Sequence, residues 1–213
     1  MSKADGLKFQ LLKLNSSGKV VAELSKGYYT KAAVLLHPSR VTLDDIKGTA
    51  SLTQFTVEKT LTFKNIETLG KTDKGFEDAK RVIAALKNKG VSGIGAVGFC
   101  WGGKVVAELS KGYYTKAAVL LHPSRVTLDD IKEIKTPIAI LAAQFDNSTA
   151  PELVKQFKEV LSTNKIDNFV KIFPGVSHGW TVRYKDDNVT AVKSANEAHQ
   201  DMLDWFTKYV QKT

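Results

Sequence analysis

From residue 72 onward the apolar positions switch between stripes at helical spacing and short runs with no polar residue inside. Phe76, Ala79, Val82, Ile83 and Leu86 recur at intervals of three and four, which puts them on one face of a helix that Thr72 or Asp73 caps and Gly90 ends. A strand running to Phe99 follows. Val105, Val106 and Leu109 mark a second helix closed near Gly112, after which Lys116 to His122 holds a continuous apolar run, and Pro137 to Ala143 holds another. Strands dispense with alternation when both faces are covered, as in a parallel sheet between layers of helices. A helix opened by Pro151 then turns Leu153, Phe157, Val160 and Leu161 inward, Phe169 to Phe173 forms a strand, and the last helix carries Val192, Ala195, Met202, Leu203 and Phe206. Strands alternating with helices predict an α/β fold, a mainly parallel sheet with helices on both faces.

The first 71 residues are patterned differently. Leu7, Phe9 and Leu11 alternate with Lys8 and Gln10, which suits a half-buried strand ending near Asn15-Ser16-Ser17-Gly18. Phe55, Val57, Leu61 and Phe63 keep a period of two through Ser51 to Lys64, a second strand or a hairpin near Glu58-Lys59. Between them, Gly18 to Lys47 repeats Gly103 to Lys132 residue for residue, thirty positions at an offset of 85. Repeat architectures drift and need three or more units, so this is a duplicated segment inside one domain spanning residues 1–213, its N-terminal part atypical. The strand Ala32-Ala33-Val34-Leu35-Leu36 of the first copy could occupy the sheet position beside the strand that ends at Phe99, and either copy could compete for the same position. The two copies are expected to differ in role, because only the second follows Val91 to Gly102.

Gly98-Phe99-Cys100-Trp101-Gly102 sits between a strand and a helix. A reactive side chain on such a turn stands clear of the backbone, glycines two residues either side permit close passage, and the helix N-terminus favours a thiolate. The same five residues also suit a small buried cysteine between packing glycines. Two further groups follow strand ends, where working groups of open parallel sheets collect: Asp146 in Gln144-Phe145-Asp146-Asn147, and His178 in Gly175-Val176-Ser177-His178-Gly179-Trp180. Nucleophile, acid and base thus occur in the order Cys, Asp, His, that of the α/β-hydrolases. Trp101 would lend its backbone N–H to an oxyanion. His37 and His122, each before proline, and His199 on the last helix read as structural.

Composition narrows the field. The chain of 213 residues carries 31 Lys and Arg against 22 acids, a net charge of +9, but the basic residues are interleaved with acids, so a solvated surface is expected rather than a nucleic-acid face. The longest apolar run, Ile138 to Ala143, is too short to span a membrane. Met1 to Gly6 shows no apolar leader and Cys100 is the sole cysteine, so a cytoplasmic protein without disulfides is expected. Without metal-spaced Cys or His and without a glycine-rich phosphate loop, no cofactor and no metal are expected.

The Gly98 to Gly102 turn, the Asp146 loop and His178-Gly179-Trp180-Thr181-Val182-Arg183 resemble the dienelactone hydrolase family, the carboxymethylenebutenolidases. Thr72 to Lys80 and His178 to Tyr184 resemble its plant branch, members of which are sometimes labelled β-glucanases. The resemblance runs from about Thr72 to the C-terminus. It implies an α/β-hydrolase fold, a triad of Cys100, His178 and Asp146, a small ester or lactone substrate, and Arg183 as the grip on an anionic substrate group. Family members also carry an oxyanion loop, an acidic partner for the resting cysteine and a second substrate arginine upstream of the residues matching Thr72. Residues 1–71 hold no recognisable counterpart. A hydrolase impaired by its N-terminal third is therefore expected, the alternative being a non-catalytic binding or structural module of the same descent.

Overall fold

The computed structural model describes residues 10–14, 31–36, 72–88, 91–185 and 187–210. Six strands, β1 (Gln10–Leu14), β2 (Lys31–Leu36), β3 (Gly93–Phe99), β4 (Ala117–Leu121), β5 (Ile138–Phe145) and β6 (Asn168–Ser177), lie in chain order across one sheet, and every neighbouring pair is parallel. Among the described residues five helices connect or cover them: α1 (Thr72–Asn88), α2 (Trp101–Ser110), α3 (Leu128–Lys132), α4 (Pro151–Thr163) and α5 (Val189–Val210). The strand or hairpin expected over 51–64 and the stop at Gly90 fall outside the described residues.

The unbroken apolar runs divide between two cores. Ile94, Ala96, Ala118, Leu120, Ile138, Ile140 and Ala142 share one with Ile83 of α1, Val105 of α2 and Phe157 of α4. The residues between them, Val97, Phe99, Val119, Leu121, Ala139, Leu141 and Ala143, share the other with Met202, Trp205 and Phe206 of α5. Alternation is present, but both halves of it are buried, and helices on both faces follow from that. Gly95 is where α5 comes closest: a Cβ there would stand 2.5 Å from the Phe206 ring.

The first copy's strand does lie beside β3, and the second copy's strand lies on the other side, so the same apolar sequence flanks β3 twice. The two are one residue apart in register. Ala32 is level with Ile94, whereas its duplicate Ala117 is level with Gly95. Because side chains alternate with a period of two, a slip of one residue exchanges the faces of a strand. The duplicated sequence therefore pairs with β3 in two different registers.

Four details depart from the periodicity. On α4 Val154 is fully buried, while Leu153 and Val160 only pack against the core from its edge. The stripe on α5 runs through Ala198, His199 and Trp205 and leaves Val192 and Leu203 half-buried. β6 continues beyond Phe173 to Ser177 through a register shift opposite Ala143 and Phe145, with Gly175 at φ 72°, a conformation glycine adopts without a Cβ penalty. The short α3 is closed by a capping box, Thr127 accepting from the Asp130 N–H and Asp130 from the Thr127 N–H. Buried Asp130 also receives Lys104 of α2 and Lys111 just past its end. Burial alone would raise its carboxyl; those two ammonium groups and the Thr127 N–H hold it below the usual carboxylate range.

Candidate active site

Cys100 is the single residue between β3 and α2, and its backbone stands at φ 52°, ψ −119°. That conformation costs an ordinary side chain on the order of 1–3 kcal/mol and persists only where the surroundings impose it. Three backbone bonds do so. The Cys100 N–H donates to the Leu121 carbonyl at 3.1 Å, and the Cys100 carbonyl accepts from the N–H groups of Gly103 and Ser124, each at 3.0 Å. A Cβ on Gly98 would collide with the Gly102 carbonyl and come within 2.6 Å of the Gly103 nitrogen, so this turn tolerates only glycine there. The Trp101 indole closes the outer side of the turn against Gly75 of α1, where a Cβ would lie 2.7 Å from its ring.

Asp146 and His178 arrive from the ends of β5 and β6. Asp146 is buried, its Oδ1 accepts from the backbone N–H of Ser148 at 2.7 Å, and its Oδ2 meets His178 Nδ1 at 2.7 Å. With Nδ1 committed to the carboxylate, Cys100 is the other group that acts on the imidazole. The carboxylate fixes the tautomer and orientation of the ring. Electrostatics then separate a proton from the sulfur. The Asp146 bond, with Cys100 adding to it, lifts His178 from 6.5 to about 9. Burial pushes the Cys100 thiol up, but hydrogen bonds from His178, Ser124 and the Trp101 N–H outweigh it and leave the thiol below its ordinary 9.0. Both shifts favour the same charge distribution, a proton held on the imidazole and a thiol that ionises more readily than a free one.

The three residues expected to form the triad are thus brought together, and the Trp101 N–H points at the sulfur. Arg183 is exposed; its side-chain stem lies over Gly179, with Cδ 3.1 Å from where a Cβ would stand. That places it next to His178 in the same turn. Two neighbours were not expected. His122, set aside above as structural, is buried, donates or accepts at Nε2 with Thr181 Oγ1 at 2.8 Å, and meets the His178 ring edge-on with centroids 5.0 Å apart. Ser124 places its hydroxyl 3.8 Å from the Cys100 sulfur. The sequence signal for both was only that Leu121-His122-Pro123-Ser124 ends a strand, at the edge of the sheet where the other working groups gather. His199 is buried in α5 and held to about 4 by that burial, against a bond to the Thr181 backbone.

Comparison with known proteins identifies the family and the fold. The model of the dienelactone hydrolase family matches residues 47–210. The chain belongs to that family. An endo-1,3;1,4-beta-D-glucanase of Zea mays is 50% identical over 88 residues, 41% of this chain and 29% of that protein. A carboxymethylenebutenolidase homolog of Mus musculus is 33% identical over 120 residues, 55% of this chain and 49% of that protein. The chain spans half the length or less of these curated relatives. A candidate dienelactone hydrolase of Klebsiella pneumoniae subsp. pneumoniae superposes with a TM-score of 0.57 at 22% identity, covering 69% of each chain, a likeness of fold. Family and fold together make this an α/β-hydrolase domain.

Proposed function

We propose that this chain is a cysteine-dependent hydrolase of small esters or lactones, acting through Cys100, His178 and Asp146. The observation that carries the reading is Cys100 held at φ 52° on the turn into α2, with the His178–Asp146 pair against its thiol. The Cys100 thiolate attacks the carbonyl carbon, and the electron pair moves to the carbonyl oxygen, where the Trp101 N–H receives it. The tetrahedral adduct collapses, the C–O bond breaks, and His178 passes its proton to the leaving alkoxide. For a lactone the new hydroxyl remains on the acyl chain. The now neutral His178 takes a proton from water as it attacks the thioester, and the carboxylic acid departs while the thiolate returns. Asp146 orients His178 throughout, and Arg183 receives an anionic group of the substrate.

The name of the maize relative points to glycoside cleavage, which sets two carboxyl groups across the scissile bond. Here the one carboxylate of the cluster, Asp146, is buried and bonded to an imidazole, an arrangement suited to acyl transfer. Rapid quench with an activated ester followed by mass spectrometry tests the reading: an acyl adduct on Cys100, absent in Cys100→Ser together with most hydrolysis, is the expected result. Inertness of Cys100 to the probe in the folded chain would favour a non-catalytic domain.

A further inference from the structure

The Ser124 hydroxyl lies 3.8 Å from the Cys100 sulfur, and none of the acyl-transfer steps above uses it. Three features hold it there. The Ser124 N–H donates to the Cys100 carbonyl at 3.0 Å, so the residue bearing the hydroxyl is tied to the residue bearing the thiol. His122, two residues before it, and Arg125, directly after it, stand at φ 37° and 62°, two left-handed non-glycine positions in one short turn, the kind of local strain that functional sites retain. Pro123 between them is pinned on both sides. Its Cβ lies 2.8 Å from where a Cβ on Gly103 would be, and its carbonyl accepts from the buried Thr149 hydroxyl at 2.8 Å. The Ser124 backbone cannot move away from Cys100 without breaking this packing or that bond, and from it the hydroxyl reaches the sulfur.

We propose that Ser124 is a catalytic residue that donates its O–H to the Cys100 sulfur, stabilising the thiolate before attack and receiving it again when the thioester C–S bond breaks. In that second step the electron pair of the C–S bond passes to sulfur, and a hydroxyl already pointed at it stabilises the leaving thiolate. The inference rests on reading Cys100 as the nucleophile. Among the described residues, the other titratable or charged groups around this region are His178 after β6, Asp146 behind it after β5, and His122 after β4, with Arg125 and Arg183 in the adjoining turns. Lys104 of α2 is committed to Glu108 and Asp130.

Cys100 is the only cysteine in the chain, so the rate of iodoacetamide alkylation against pH reads its ionisation directly, without any ester substrate. In Ser124→Ala the midpoint should rise by about one pH unit, since a hydrogen bond to a charged group is lost. The plateau rate at high pH should rise about threefold, because a more basic thiolate is the better nucleophile. Ser124→Thr, which keeps a hydroxyl, should titrate with the wild type. An unmoved midpoint in a natively folded Ser124→Ala, or the same shift in Thr as in Ala, overturns the proposal. Should Ser124→Ala fail to fold, Ser124→Thr and Ser124→Val make the same comparison at equal size, and only Val should shift. A midpoint that moves in a chain whose Cys100 never acylates supports the hydrogen bond and sinks the hydrolase reading instead.

Discussion

At Asp146, exchanging one carboxylate oxygen for an amide nitrogen keeps the volume of the side chain and removes the charge that raises His178. Activity of Asp146→Asn on an activated ester should fall by about 10³- to 10⁴-fold, as expected when the base loses its orienting carboxylate. Stability should respond with a definite sign. His178 titrates at about 9 in the folded chain against 6.5 for the free group, so the fold holds a proton that the unfolded chain releases between those values. The stabilisation is complete below about pH 6.5 and is lost as the pH climbs through about 9. Urea unfolding at a series of pH values should show wild type and Asp146→Asn furthest apart near the lower limit and converging above the upper one. Arg183 makes a separate claim. Its removal in Arg183→Ala should raise KM for carboxylate-bearing lactones by about 10- to 100-fold, the loss of a charge-assisted bond, with little change for neutral esters. Equal effects on both substrates would take Arg183 out of substrate binding.

Among the elements, α5 carries a pH dependence of the opposite sense. His199 is buried among its apolar neighbours and titrates at about 4, below the 6.5 of the free imidazole. The unfolded chain therefore binds a proton between those values that the fold refuses, and stability should fall as the pH drops from about 6.5 to about 4. Melting temperatures of His199→Leu should start lower, because its bond to the Thr181 backbone is gone, yet should decline less steeply with acid. A wild-type slope retained in His199→Leu would assign the acid sensitivity to other groups. The turn between β3 and α2 gives a sharper test. A Cβ at Gly98 meets the backbone of Gly102 and Gly103, atoms with no rotamer to escape into, so Gly98→Ala must displace either the strand or the helix. Its expected signature is loss of Cys100 alkylation at neutral pH out of proportion to any loss of secondary structure by circular dichroism.

For the whole molecule, the question is what the first 71 residues supply. The proposed acyl-transfer groups all lie between Cys100 and Arg183, but in this fold the second oxyanion donor comes from a loop upstream of the nucleophile. Absence of one donor lowers kcat by about 10²- to 10³-fold. That is the deficit expected in kcat/KM on an activated lactone when this chain is compared with one whose residues 1–71 are replaced by the N-terminal half of a dienelactone hydrolase. Equal values would mean that residues 1–71 already provide a working donor. The placement of β2 bears on this comparison, since the replacement must supply a strand able to pair in parallel with β3 from Gly93 to Gly98.

The sequence by itself determined the order of strands from Thr72 and of every helix but the short α3, the burial of both strand faces, and the grouping of Cys100, Asp146 and His178. All three follow from local pattern: an apolar run without alternation requires cover on two sides, and groups placed after successive parallel strands are delivered to one edge of the sheet. Tertiary structure alone decided the rest. Two identical segments have identical propensities, so nothing local could reveal that Ala32 and Ala117 pair one residue out of step on opposite sides of β3; the partner sets register. His122, Ser124 and Arg125 carry no sign in the sequence of the left-handed turn around Pro123. That turn is imposed by backbone bonds from Cys100 and Leu141 and by the packing of Pro123 on Gly103. The nucleophile was legible because its motif is contiguous. The hydroxyl beside it was not, because the contact joins residues 24 positions apart across a strain that only the assembled sheet maintains.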